Sequence, residues 1–388
     1  MRRWLFLLLL TGCSRAPSDK IEIAYQTVET LPEQQAIHRE IIAAFERTHT
    51  NIHVRVLYDT SKFQKLNVQL AGGVAPDVFY YVVDRLPALA RRGVLVDLSE
   101  TFTSHAKEFF PEVVEPCRID GKLEMMPFHF STDVLFYNRD WLADETAPDD
   151  WTQFAETASR LAKHRQLPFA TLLPRPLLLM QSFGAAVFSN DTCTVNSLEA
   201  AAALEFYRSL VTSNIAPTLT TVTEMEAFDG VNLFQNQRIA MLVGRTYMLT
   251  EFDRIAGFRW GVAPVPQGKL RWSRLSIGGN CVWRGTKHRR EAEQFVEFYS
   301  TEGAKLAASS RNAIPALRNA AEAAKFPPVM LEALDYSRLD NPWGYAFWDE
   351  YNQRAFVETA EAVALGRVSS TDALRSMEAF GNQLLRLR

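Results

Sequence analysis

From Lys20 the chain alternates polar and apolar positions, with Ile21, Ile23 and Tyr25 on one side, the period of a half-buried strand. Ile37, Ile41, Ala44 and Phe45 then recur at helical spacing, and Ile52, Val54, Val56 and Tyr58 alternate again. Phe63, Leu66 and Leu70 predict a second helix, closed at Gly72-Gly73, where glycine takes the left-handed conformation that ends a helix. A short apolar strand, Val78 to Val83, follows Pro76-Asp77. This β-α-β-α-β order predicts an α/β fold with an open, mostly parallel sheet and helices on both faces.

Farther along, Asp120-Gly121 predicts a turn before a long extended stretch that Pro127 interrupts and that resumes at Val134 to Tyr137. A proline there points to a sheet edge or to a crossing between sheets. Helices are expected over Trp151 to Ala162 and Leu198 to Leu210, a short helix running into a buried strand over Leu233 to Val243, and a strand over Trp260 to Val265. The C-terminal part reads as a helix from Arg290 to Ser300, a loop ending at Ile314-Pro315, helical segments through Ala320 to Leu334, and helices around Gln353 to Leu365 and Ala373 to Leu385.

Composition adds bounds. With 388 residues, 47% of them hydrophobic and 22% charged, the chain is long enough for two domains with separate cores. A formal charge of −3 offers no basic surplus, so nucleic acid is not an expected partner. Arg2 and Arg3 precede an apolar run from Trp4 to Leu10, far short of the roughly 20 apolar residues that a membrane span needs, and this reads as a secretion signal. Leu10-Thr11-Gly12-Cys13 resembles a bacterial lipobox, which implies removal of residues 1–12, acylation of Cys13, a membrane anchor and a tether over 13–19. Cys117, Cys193 and Cys281 have no CxxC spacing and no histidine-rich company, so no metal is expected; buried free thiols are the simplest state, and one disulfide remains open.

The longer motifs carry a resemblance. Ala71 to Val78 with its Gly-x-x-Pro-Asp-Val pattern, Arg92 to Leu98, Asp120 to Pro127, Phe136 to Asp140 and Pro148 to Trp151 are similar, in order, to segments of bacterial extracellular solute-binding proteins of the maltose-binding type. Leu233 to Leu242, Gly261 to Pro266, Gly278-Gly279 and Ala292 to Phe298 extend the likeness over the mature chain. It implies two α/β lobes of the type II periplasmic-binding fold, joined by chain crossings near Phe130 to Asp133, Ser276 to Asn280 and Ile314 to Ala316. Residues 20–130 with 279–314 would form one lobe and 131–278 with 315–388 the other. The implied activity is capture of a sugar between the lobes for the permease subunits of an ABC importer, by a monomer without cofactors, outside the cytoplasm.

Sugar sites combine flat apolar faces with hydroxyl-binding groups, which directs attention to aromatics beside the expected crossings. Phe128 and Phe130 flank the first, with Thr132 and Asp133 just beyond; Trp343, Tyr345 and Trp348 lie in an aromatic cluster after the third. Tyr25 and Gln26 end the first strand, the edge where open α/β sheets hold ligands, and Asp77 opens another strand. Gly278, Gly279 and Asn280 would admit a ligand close to the backbone. Arg245 and Tyr247 stand where the family often has tryptophan, and Arg245 or Arg311 could grip an anionic group.

Enzyme signatures are sparse. GxSxG, HExxH, Walker A and EF-hand patterns are absent, and Ser104-His105-Ala106-Lys107 matches an SxxK pattern without its SDN and KTG companions. His49 and His53 straddle the start of a predicted strand, so their spacing does not place them on one helical face. A lipid-anchored carbohydrate hydrolase and a solute sensor for a membrane receptor are the alternatives to importer capture; the hydrolase needs two carboxylates about 5 to 10 Å apart.

Overall fold

The computed structural model describes residues 20–387 apart from 62, 143–144, 227–228 and 343, so Cys13 and Trp343 lie outside the described residues. In chain order the strands are β1 (Ile21–Thr27), β2 (Ile52–Tyr58), β3 (Val78–Val82), β4 (Arg118–Ile119), β5 (Lys122–Leu123), β6 (Met126–Asn138), β7 (Phe188–Ser189), β8 (Thr192–Cys193), β9 (Met241–Arg245), β10 (Trp260–Ala263), β11 (Ser273–Val282), β12 (Ile314–Pro315) and β13 (Ser337–Arg338). The opening pattern folds as expected: β1 pairs in parallel with β2 and β3, and the helices Pro32–Thr48 and Gln64–Ala71 connect them. Gly73, at φ +67°, supplies the left-handed residue after the second helix.

The sheet as a whole is mixed rather than mostly parallel. Its strands follow the order β10-β6-β11-β3-β1-β2, and β11 runs antiparallel to both β3 and β6. The reason is the path of the chain. β6 runs from one part of the molecule into the other and β11 runs back, so the two crossing strands must oppose each other. Along β6 the partner changes between Thr132, which faces Leu275 of β11, and Asp133, which faces Arg245 of β9. β12 is a third short strand laid antiparallel on β6 at Phe130 and His129.

Pro127 does not interrupt β6, which is continuous over 13 residues. The register between β6 and β11 shifts between Gly278 and Gly279, and Pro127 lies opposite Gly279 at that irregularity, where a missing N–H is tolerated. The approach there is tight. A Cβ on Gly279 would lie 2.3 Å from the Met126 carbonyl oxygen and 2.9 Å from Pro127 Cα, both backbone atoms. Gly279→Ala is therefore expected to cost about 3 kcal/mol, the upper end of overpacking effects, because strands must separate and no side chain can rotate away. Chemical denaturation checks this; an unchanged midpoint would show that β6 and β11 part without penalty.

Asp120 and Gly121 both adopt positive φ, 50° and 78°, and close the two-residue hairpin between β4 and β5 that the Asp-Gly pair predicts. The expected helices after β6 are Trp151–Arg165 and Leu198–Thr212, each opened by a side-chain cap: Asp150 accepts from the Gln153 amide and Ser197 from that of Ala200. The helix Pro176–Phe183 escapes a periodicity reading because its run Leu177 to Met180 is apolar on every side and fully buried. Around Gln353 the expected helix is present, with Asn352–Glu358 in the wider π geometry.

Apolar burial divides into two clusters. One gathers Ile23, Phe45, Phe79, Phe102 and Phe295 around β1, β3 and β11, and extends along one face of β9 through Phe136, Phe234 and Phe252. The other holds Leu135, Trp151, Phe154, Tyr207, Tyr351 and Met377. Cys117, Cys193 and Cys281 are free and buried among these cores.

Candidate functional site

A cavity of about 250 Å³ opens where the crossing strands meet both sets of helices. Its floor is Ser131 of β6 with Ser276 and Gly278 of β11. Glu29, His38, Tyr80 and His129 form one wall, and Arg245 and Tyr247, at and just beyond the end of β9, form the facing one. Asn312 and Pro315, from the third crossing, close the side.

Glu29 follows the C-terminal end of β1, where its amide donates to the Thr27 hydroxyl at 3.1 Å. Its two carboxylate oxygens stand 3.2 Å from His38 Nε2 and 3.4 Å from His129 Nε2. Burial by itself would raise this carboxyl, but hydrogen bonding and charge from His129 and His38 outweigh that and hold it well below the usual carboxylate range. His38 is only 2% exposed, and its Nδ1 makes a short hydrogen bond with the Tyr299 hydroxyl. That contact and the neighbouring Glu29 carboxylate hold the His38 ring between them. His129 stacks on Tyr80 at 5.8 Å between ring centroids. The result is an ionised acceptor with fixed orientation beside an aromatic face, a combination suited to hydroxyl groups on an apolar ring.

A second cavity, of about 330 Å³, lies between Tyr81 of β3 with Asp84 and Arg85 just beyond it, and Asn341, Tyr345, Trp348 and Asp349. Tyr80 and Tyr81 are neighbours on β3, so alternation turns their rings towards different cavities.

A chain of alternating charges joins the two. Arg245 Nε lies 4.0 Å from Asp133, Asp133 3.1 Å from Arg175, Arg175 2.8 Å from Asp340, Asp340 3.0 Å from Arg274, and Arg274 3.1 Å from Asp84. Burial raises the Asp133 carboxyl more than Arg175 and Arg274 lower it, and it does the same to Asp84 despite Arg274. Arg245 thus shares its charge with Asp133, and Arg311 pairs with Asp253.

Of the residues singled out from sequence, Phe128, Arg245, Tyr247 and Gly278 line the first cavity, and Tyr345 and Trp348 the second. Others are drawn into packing. Tyr25 is fully buried against Phe295 and Tyr299, and Phe130 is fully buried edge-on to Phe110. Gln26 donates to Asp59 at 3.0 Å, and the Thr132 hydroxyl donates to the Met330 carbonyl at 3.2 Å. Asp77 holds its own loop, accepting from the Ala24 amide at 2.8 Å and from the Thr286 hydroxyl. Asp133 belongs to the ion chain, Gly279 to the strand contact, and Asn280 is buried within β11. Strand alternation explains the misses: at a sheet edge, neighbouring residues face opposite ways, and the first strand's contribution comes two residues past Thr27, at Glu29. His38, Tyr80, Ser131, Ser276, Asp84 and Arg85 carry no local motif; only the position of Tyr80 and Asp84 at the end of β3 could have drawn attention to them.

Two α/β lobes joined by crossing strands, with cavities walled from both sides, define a two-lobe periplasmic-binding fold of type II. The chain belongs to the bacterial extracellular solute-binding protein family, whose model matches residues 40–329. It is 20% identical over 309 residues to the galactooligosaccharide-binding protein of Bacillus subtilis, covering 73% of this chain and 70% of that one. Among solved structures it is similar to the sugar-binding protein MalE of Xanthomonas citri, at TM-score 0.81 and 20% identity over 95% of this chain and 98% of that one. The Listeria monocytogenes ABC substrate-binding protein in complex with cycloalternan has TM-score 0.80 and 23% identity, covering 95% of this chain and all of that one. Among the described residues, no helix is long and apolar enough to cross a membrane.

Proposed function

We propose that this chain is the substrate-binding component of an ABC importer, which captures a mono- or oligosaccharide between its lobes by hinge closure and hands it to the permease. The observation that carries the reading is the first cavity, in which an oriented carboxylate and the Tyr80 ring face Arg245 and Tyr247 across the crossing strands. Residues 20–130 with 279–314 would move as one lobe and 131–278 with 315–388 as the other. Contacts from both sides would then stabilise the closed state by their differential affinity. Cys13 would carry the lipid anchor that keeps this monomer at the outer face of a membrane, in the periplasm or at the cell surface. Family membership and the sugar-binding relatives support importer capture over a hydrolase.

Intrinsic tryptophan fluorescence, titrated with neutral sugars, polyols and sugar phosphates and accompanied by product analysis, tests the proposal. Saturable change with one sugar and no turnover is expected. Turnover would replace the reading with a hydrolase, and response to a phosphate ester alone would move the ligand class.

A further inference from the structure

The crossing strands and the ion chain stand between the two cavities. Arg245, at one end of the chain, lines the first cavity, and Asp84, at the other, lines the second; Asp133, Arg175, Asp340 and Arg274 line neither. Asp133 and Asp340 keep only 6% and 7% of their side chains exposed. A solute lying across both cavities would have to part these pairs and leave uncompensated charges away from water. The first cavity is also blind at its inner end, where His38, Tyr80 and Phe128 are buried. Tyr80 and His129 lean so closely over Gly278 that a Cβ on that glycine would lie 2.1 Å from the Tyr80 hydroxyl and 2.8 Å from His129 Cε1. The mouth is at Tyr247, which is 40% exposed. The volume of about 250 Å³ falls below the roughly 300 Å³ at which pockets for drug-sized ligands begin.

Resting on the capture reading above, we propose that the solute is a neutral sugar of a single ring, a monosaccharide, and that the ion chain ending at Arg245 is the size filter against longer sugars. The ring would sit between Tyr80 and the wall of Arg245 and Tyr247, with Glu29, Ser131 and Ser276 facing its hydroxyl groups. Neutrality follows from the walls: Glu29 brings a negative charge to the cavity, and the charge of Arg245 already faces Asp133. A second ring must either part the buried ion pairs or push Tyr247 aside, and both forfeit contacts that one ring keeps. The same pairs therefore end the cavity and limit the length of what it holds.

Isothermal titration calorimetry with glucose, galactose, mannose and xylose, each beside the α- and β-linked disaccharides and trisaccharides built from it, reads the filter. One monosaccharide is expected to bind at least about tenfold more tightly than its own disaccharides, and its trisaccharides more weakly still. Arg245→Ala shortens the wall without stripping a buried carboxylate, because Asp133 keeps Arg175 at 3.1 Å. It is expected to bring the disaccharide within about threefold of the monosaccharide. A wild type that holds a disaccharide or trisaccharide as tightly as the monosaccharide would overturn the inference while leaving capture standing. So would an Arg245→Ala protein whose discrimination is unchanged. Silence of the wild type with every sugar would instead remove the capture reading, and this inference with it.

Discussion

Glu29→Gln is expected to weaken ligand binding by about tenfold to a hundredfold, the range for losing a hydrogen bond to a charged group. The substitution keeps the shape of the side chain and removes the ionised acceptor that His38 and His129 orient in the first cavity. Fluorescence titration of both proteins with the sugar that the wild type binds measures it, and affinities within twofold would reduce Glu29 to a structural partner of the histidines. The same carboxyl makes a pH-dependent contribution to stability. Its folded value lies below the ordinary 4.5, so the contribution is complete above that pH and is lost as pH falls through the folded value. Wild type and Glu29→Gln should therefore differ most in stability near neutrality and converge in acid, as denaturation at a series of pH values would show.

Asp340→Ala is expected to be the most damaging single change to the ion chain, at about 3 kcal/mol. Asp340 has a side chain only 7% exposed and touches two guanidinium groups, Arg175 at 2.8 Å and Arg274 at 3.0 Å. Its removal leaves three arginines facing Asp84 and Asp133 alone, a surplus positive charge where water has little access. Arg175 retains 35% side-chain exposure, which places the cost at the low end for a broken buried pair. Asp340→Asn separates the charge from the packing: if charge dominates, it should cost nearly as much. A loss below about 1 kcal/mol in either variant, read by chemical denaturation, would mean that Asp84 and Asp133 suffice to neutralise the cluster.

The fates of the site candidates show how far local pattern reaches. In the sequence pattern Tyr25 and Gln26 mark the end of the first strand; the end of β1 does contribute to the cavity, but through Glu29, whose amide donates to the Thr27 hydroxyl. Arg245 and Arg311 suggested an anion site when read as isolated cations; the fold sets Asp133 beside one and Asp253 beside the other. Gly278 and Gly279 look equivalent in the chain, yet one lines the cavity and the other fits against the Met126 carbonyl.

What the sequence determined by itself were the features that depend on neighbours in the chain. The alternation of β1 to β3, the helix caps at Asp150 and Ser197, the Asp-Gly hairpin and the ordered motifs of the family are all short-range, because periodicity and turn chemistry act within a few residues. Only the tertiary structure decided the antiparallel return of β11, the carboxylate held between His38 and His129, the six-residue ion chain and the contact of His38 with Tyr299. Each of these joins residues from about 9 to more than 250 positions apart, and their partners are selected by how β6 and β11 carry the chain between the lobes. No local propensity encodes that path.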